Sequence, residues 1–306
     1  MAGTTTSLRR KIGSAGDLQA VVRAMKAQAA ASVGQYERSV AALADYARTV
    51  ELGLTACFRE DRPADAEPRR HGPATGGEVC VVVFGSDQGL VGRFNDVVID
   101  FALEALGALP GEPQVWAVGD RVRARMADAG VALLGQFAVP SSVQAITPLV
   151  GEILVATEAR ERPGKSAELH LFHNCPMSGS AYAPISQRLL PLDGAWRRGL
   201  AERPWPTSML PQVMGAGSVT VRALIREYLF VSLFRACAES LASENASRLA
   251  AMDRADRNID KLLEKLRGSF HRLRQSGIDE ELSDVTAGFN ALSPARELTA
   301  SPRRAR

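Results

Sequence analysis

Aromatic residues are scarce in this chain, at 6% of 306 residues. Alanine, leucine and arginine are abundant instead, and these favour helix. Cysteine is equally sparse: Cys57, Cys80, Cys175 and Cys237 are scattered, with no CxxC pair. That spacing gives neither a disulfide framework nor a zinc site, and a reducing compartment fits it. There is no run of about 18 apolar residues, so no transmembrane helix is expected. The N-terminal segment is polar from Thr4 to Ser7, then basic and amphipathic, without the apolar centre of a signal peptide. Any membrane contact would therefore pass through partner proteins. The net charge of +3 is too mild to argue for a nucleic-acid partner. With 46% hydrophobic and 23% charged residues, the chain has the make-up of an ordinary soluble protein of one or two domains.

Proline is also missing from Val219 to Leu292, and there the sequence reads as one helix. Met252, Ile259, Leu263, Leu266, Phe270 and Leu273 fall on one face, at steps of three, four and seven. Ile278, Leu282, Val285, Phe289 and Leu292 resume the stripe after a slip at Gly277. At ~1.5 Å per residue such a helix would span roughly 110 Å, too long to hide its stripe in one core. A second long pattern runs from residue 7 to about 56, through Leu8, Ile12, Leu18, Val22, Met25 and Ala29, then Val33, Tyr36, Val40, Leu43, Ala47, Val50 and Leu54. The step from Ala29 to Val33 reads as a stutter. Gly13 and Gly16 predict a frayed or closely packed tip, and the alanines of 24–31 allow a partner helix to approach closely. Between Val221 and Phe234 the second helix is expected to pack on the globular part, and from Leu241 to Phe270 against the first helix.

Between the two helices the period changes. Val79–Phe84 is a continuous β-branched run, typical of a strand buried on both faces. A turn at Gly85–Gly92 and a helix at Phe94–Leu106 follow. Gln114–Val118 reads as a strand, Asp120–Asp128 as a helix, Val131–Phe137 as a short strand and Val143–Ala159 as a helix. Glu168–His173 and Pro184–Leu192 are two further strands, free to pair as a hairpin. Strands alternating with helices predict a mainly parallel sheet with helices on its faces. Residues 59–77 read as a Pro/Gly linker, 193–217 as a Gly-, Pro- and Trp-rich connector with Ser218 as helix cap, and 293–306 as a basic disordered tail.

No motif makes a convincing catalytic site. Gly164-Lys165-Ser166 ends a relaxed phosphate-loop pattern, but a helix precedes it, a strand follows, and Pro163 removes an amide, so it reads as a polar turn. Gly85, Gly89 and Gly92 lie between strand and helix, where anions bind, yet their spacing departs from GxGxxG; tight-turn geometry accounts for them. His170 and His173 with Cys175 resemble metal ligands, but residues three apart on a strand face opposite sides, so a satisfied buried or edge histidine is the reading. Ser180 and Ser186 have no identifiable base. Glu244 with Arg248 and Asp253 with Arg257 are i,i+4 pairs on a mostly solvated face. Arg272 and Arg274 followed by Asp279, Glu280, Glu281 and Asp284 make adjacent clusters of opposite charge, read either as a solubilising surface or as a polar docking surface.

Several stretches together are familiar. Leu241-Ala-Ser-Glu-Asn-Ala-Ser-Arg248-Leu-Ala-Ala-Met252, then Arg274-Gln275 and Glu281-Leu282, resembles the C-terminal helix of the gamma subunits of F-type ATP synthases. Ile12-Gly-Ser14, Gln19 and Ala24-Met25 are similar to that family's N-terminal signature. Ser86-Asp87-Gln-Gly89-Leu90-Val-Gly92-Arg-Phe94-Asn95 is similar to its middle signature, and Pro184–Leu192 also fits. The chain departs from the family at Ala20-Val-Val-Arg23, at Gln88, Val91 and Arg93, at Asp279 and at Gly288-Phe289-Asn290, as a divergent or alternative-operon form would.

The resemblance implies a fold: an antiparallel coiled coil of N- and C-terminal helices plus an inserted Rossmann-like α/β domain with a mainly parallel sheet. The divisions expected are 1–58, linker 59–77, foot domain 78–192, connector 193–217, helix 218–292 and tail 293–306. It implies a rotor-stalk subunit that couples ion translocation to ATP synthesis or hydrolysis on beta subunits, with no catalytic site, cofactor or metal of its own. Implied partners are an alpha/beta hexamer, an epsilon subunit and a c-ring, with one copy of this chain per complex at the cytoplasmic face of a bacterial plasma membrane. Carried over by motif, Met25, Lys26, Arg274, Gln275, Asp279 and Glu281 would touch the hexamer, and Ser86, Asp87, Gly89, Leu90, Gly92 and Asn95 would form the signature turn. Two other readings stay open: a structural coiled-coil protein with a globular hinge, which would self-associate, and a nucleotide-binding α/β enzyme, which would bind ATP or NAD saturably.

Overall fold

The computed structural model describes residues 2–60, 78–109, 111–158, 168–177, 182–192, 194–209, 211–213 and 217–292. In order, these form helix α1 (Ala2–Glu60), strand β1 (Val79–Phe84), α2 (Phe94–Leu106), β2 (Gln114–Val118), α3 (Asp120–Asp128), β3 (Leu133–Phe137), a 3-10 turn leading into α4 (Ile146–Glu158), the strands β4 (Glu168–Pro176) and β5 (Tyr182–Leu190), α5 (Gly194–Glu202) and α6 (Gly217–Leu292). Gly164-Lys165-Ser166, Ser180, and the linker and tail positions 61–77 and 293–306 lie outside the described residues.

The strands join in one sheet of order β3-β2-β1-β4-β5. β1 runs parallel to both β2 and β4, with Val82 opposite Trp116 on one side and Leu171 on the other. β4 and β5 pair antiparallel, as two strands with no helix between them can. Alternation along β1 sends Cys80, Val82 and Phe84 to one face and Val79, Val81 and Val83 to the other. The second face is covered by Val98, Ile99 and Ala102 of α2 with Val122 and Met126 of α3. The first is covered by Ile146, Val150 and Ile153 of α4 and by Leu233, Cys237, Ala238 and Leu241 of α6, joined by Tyr36 of α1. Each large side chain buried there contributes ~1.5–3 kcal/mol, which is why both faces of β1 carry unbroken apolar sequence.

Two compact units divide the chain: residues 1–24 with 254–306, and residues 25–253. The second holds the sheet. It also holds α5, which the Gly/Pro/Trp-rich stretch did not predict as helix. Leu200 of α5 is buried with Val50 and Leu54 of α1, and Trp196 packs on Tyr228 of α6 with ring centroids 5.0 Å apart. Thr55 Oγ1 donates to the Leu200 carbonyl (3.1 Å) and Arg59 Nε to that of Ala201 (2.7 Å), so a side chain from another helix satisfies carbonyls at the end of α5. In the first unit α1 and α6 run antiparallel: the Arg9 guanidinium lies over Phe270, 5.7 Å from its centroid, and Gln19 bonds Asp260 and Asp256.

Several expectations are corrected. Leu18 is not on the buried seam but 55% exposed; Ala15 and Gln19 are buried there with the expected Val22. Gly13 and Gly16 lie within α1 and are not closely packed, since a Cβ at either would meet nothing within 4 Å. Packing of α6 on the sheet also extends beyond Phe234 through Ser247, because Leu241–Ser247 is a run of small and polar side chains that lets the strand ends approach.

Gly119, between β2 and α3, has φ +108°, and a Cβ there would lie 2.8 Å from the Ser86 backbone. Gly119→Ala is expected to destabilise the chain by at least ~2 kcal/mol, seen as a lowered urea midpoint in unfolding followed by far-UV circular dichroism; an unchanged midpoint would contradict the close approach.

Candidate functional site

The order of strands reverses at β1, and in open α/β sheets the crevice at such a reversal, beyond the carboxyl ends of the strands, is where ligands bind. Here the chain fills that crevice itself. The turn after β1 is closed by Ser86, whose N–H donates to Asn95 Oδ1 (3.0 Å) while Asn95 Nδ2 donates to Ser86 Oγ (2.8 Å). Ser86 Oγ in turn donates to the Gln88 carbonyl (2.8 Å). Asp87 accepts from the backbone N–H of Asp120 (3.0 Å) and of Val139 (3.1 Å), tying the start of α3 and the segment after β3 to the same turn. The chain then passes Leu90 and Gly92 at positive φ, and Arg121 lies against Gly89.

From α6, Ser243 Oγ donates to the carbonyl of Asn174 at the end of β4 (3.0 Å), and Ser247 Oγ to that of Val91 (2.5 Å). Asn174 Nδ2 donates to the Phe94 carbonyl (2.9 Å). Two serines four apart on one helical face thus seal the ends of β1 and β4. The signature residues Ser86, Asp87 and Asn95 act as internal fastenings, whereas Leu90, 62% exposed, and Gly92 face solvent. A single i,i+4 pair of serines beside apolar positions was the sequence signal for this seal, and it was not read from the sequence as such.

Beside the seal, the Glu244–Arg248 pair corrects the expectation of a solvated i,i+4 bridge: Arg248 Nη2 lies 2.6 Å from Glu244 Oε1, with both side chains nearly out of solvent. Burial pushes the Glu244 carboxyl above its usual range, an effect that the Arg248 charge and hydrogen bond oppose and Asp87 adds to. Met25, Gln28 and Ala29 of α1 with Gln88, Asn245 and Arg248 line a small groove there of about 70 Å³. Asp253 takes Lys26 as partner, at 2.5 Å.

His173, 1% exposed, sets Nε2 3.0 Å from Glu239 Oε2, and Arg235 Nε lies 2.7 Å from Glu239 Oε1. Nε2 of the histidine therefore has as partner a carboxylate 66 positions away, which no sequence spacing indicates, while its buried Nδ1 has no hydrogen-bond partner among the described residues, so the expected satisfied histidine is only half satisfied. His170 instead meets Glu168 at 3.1 Å. Burial raises the Glu239 carboxyl, but the hydrogen bonds from His173 and Arg235 and the charge of Arg235 outweigh it and hold the group below its ordinary value. Burial and Glu239 push the Cys175 thiol up to about 11, so at neutral pH it is not a thiolate nucleophile. No cluster of His, Cys, Asp and Glu suited to a metal ion occurs among the described residues.

The remaining candidate residues lie elsewhere. Met25 and Lys26 are half-buried on α1 of the second unit. Arg274, Gln275, Asp279 and Glu281 are all exposed on α6 of the first. Past them Ile278, Leu282, Val285 and Phe289 keep 46–70% of their surface in solvent, and no described helix covers that stripe.

Two long helices bracketing a five-stranded sheet define a class. A rotor chain of the Euglena gracilis mitochondrial ATP synthase has the same fold, at TM-score 0.58 and 16% identity over 91% of this chain and all of that one. A chain from the central stalk and c-ring of the Tetrahymena thermophila mitochondrial enzyme matches at TM-score 0.54 and 17% identity, over 77% of this chain and 99% of the other. In sequence, the ATP synthase gamma chain of Frankia casuarinae is 29% identical over 306 residues, covering 96% of this chain and 99% of that one. That of Salinispora arenicola is 28% identical, covering 96% and 98%. A family model described as ATP synthase matches residues 4–292, and the chain belongs to this ATP synthase gamma family.

Because Glu239 is depressed, its contribution to stability is present above the unfolded carboxylate range and lost as pH falls through the folded value. Glu239→Gln should lower stability at pH 7 by about 1–3 kcal/mol, with the gap to the parent closing below about pH 4. Urea midpoints at the two pH values check this; a gap that persists in acid would contradict the assignment.

Proposed function

We propose that this chain works as the central rotor-stalk (gamma) subunit of a rotary F-type ATP synthase or ATPase. It would transmit torque between ion translocation in a membrane sector and ATP chemistry on beta subunits. The partners are an alpha/beta hexamer around the helices, and an epsilon subunit and a c-ring on the α/β part, with one copy of this chain per complex. No helix among the described residues is long and apolar enough to cross a membrane. In this proposal membrane contact goes through those partners, at the cytoplasmic face.

The observation that carries this reading is the last stretch of α6. A helix exposing Ile278, Leu282, Val285 and Phe289 in register, flanked by Arg274 and Gln275 and by Asp279 and Glu281, has an apolar stripe that nothing among the described residues buries. A ring of surrounding subunits would supply the cover. Polar side chains at the rim would make contacts that break and re-form as the shaft turns, since exposed ion pairs contribute only ~0–1 kcal/mol each. The α/β part supports the same view: its switch-point crevice is filled by α6 side chains, which leaves the sheet as a mount for the helix. The signature turn serves that mount through Ser86, Asp87 and Asn95.

Arg274→Ala with Gln275→Ala should reduce ATP turnover in a complex reconstituted with alpha and beta subunits. The thermal midpoint of the isolated chain should stay put, because both side chains are exposed. Unchanged turnover would remove these two residues from the coupling contact.

A further inference from the structure

The seam between α1 and α6 is thin in the first unit. Its buried α1 side chains are Ala15, Gln19 and Val22, against Ile259 and Leu263 on α6. Small apolar knobs discriminate poorly between neighbouring registers of an antiparallel pair, because a slip of one turn sets one small residue where another was. Something else must choose the register.

Polar contacts do so. Arg9 lies over Phe270, Gln19 Nε2 donates to Asp260 Oδ1 (2.5 Å) and to Asp256 Oδ1 (3.0 Å), and Arg23 lies 3.1 Å from Asp256 and 3.6 Å from Asp260. Each step up α1 is matched by an equal step down α6, so all of these contacts belong to one register. Sliding α6 by one turn one way would set Arg9 against Arg274. Sliding it the other way would set Arg23 against Met252 and Arg9 against Leu266. In the observed pairs the donor stands on α1 and the carboxylate on α6, so the first slide keeps Arg23 opposite Asp260 but sets two arginines together, and the second takes Arg23 from its carboxylate to an apolar residue.

We propose that Gln19 and Arg23 of α1 with Asp256 and Asp260 of α6 form a register lock within the first unit, and that these four are positioning residues. They hold the exposed side chains of α1, Leu18 and Val21 among them, at fixed heights beside the exposed face of α6. The lock itself follows from the contacts; its consequence for coupling rests on the central-stalk reading. Since Arg23 and Asp260 each keep 58% of their side-chain surface in solvent, the lock weakens with salt.

The test uses the full chain with spin labels at exposed Ser14 and Glu280, in a Cys175→Ser background, the other three cysteines being buried. One turn of slip moves the labels by ~5 Å along the axis. Arg23→Asp and Asp256→Arg, each alone, should shift or broaden the label distance by about that much, and the double reversal should restore the parent distribution. Single reversals that leave the distribution unchanged overturn the lock. If a single reversal fails to fold, the parent chain decides: its distribution should broaden between low salt and ~1 M salt, and an unchanged one overturns the proposal. In the complex with alpha and beta subunits, turnover should fall several-fold in the single variants and recover in the double. Recovery of label distance without recovery of turnover would keep the lock but remove its role in coupling. A parent chain that forms no complex would overturn the stalk reading while leaving the label result intact.

Discussion

The constraint on which the second unit depends is the packing of one stretch of α6, Leu233 to Ser247, onto the sheet. Leu233, Cys237, Ala238 and Leu241 complete the core against β1, β2 and β4, and Ser243 and Ser247 tie off the carbonyls of Asn174 and Val91. A buried carbonyl without a partner is costly, so the hydroxyls matter as much as the methyls. The same stretch carries Glu239 and Glu244, which burial and neighbours move in opposite directions. Glu239 gains from its partners; Glu244 bears a net cost of burial beside the groove that Met25 and Gln88 line. In this way one segment serves as core, crevice seal and charged collar.

Filling the crevice also decides what kind of protein this is. The fold places a turn and a helix N-terminus where an α/β enzyme would hold a phosphate, yet the Ser86–Asn95 pair, Asp87 and two serines of α6 bond to one another and to backbone groups there. What the described residues offer to other molecules is helix and turn surface instead: a half-buried Met25 and Lys26, an exposed Leu90 held at positive φ in the turn, and the exposed stripe with its paired charges at the end of α6. Membership in the ATP synthase gamma family agrees with a chain that works through such surfaces.

Much of this was legible in the sequence, for physical reasons. Strands Val79–Phe84 and Gln114–Val118 fall where the pattern put them, since a strand buried on both faces reads as a short unbroken apolar run, and helices Phe94–Leu106 and Asp120–Asp128 follow where the period changes. The two long helices were plain from period and from the lack of proline. The details of the helical seam were not. Leu18 fits a three-and-four stripe yet points to solvent, while Ala15 and Gln19, which carry little hydrophobic signal, are buried. Helix α5 was hidden because its stability comes from Arg59, Thr55 and Trp196 contacts far away in sequence. The partner of His173 was invisible for the same reason, and the i,i+4 pair Glu244–Arg248 was readable in spacing but not in burial.

The central claim is that this chain is an essential shaft within a rotary complex. The most direct measurement is to co-express it with alpha and beta subunits, purify the assembly, and measure ATP hydrolysis with and without this chain. The account predicts one stable complex containing a single copy of the chain, whose cooperative multi-site ATPase activity is lost when the chain is omitted. A chain that purifies as a homodimer regardless of alpha and beta subunits, with their activity unaffected by its presence, would contradict it.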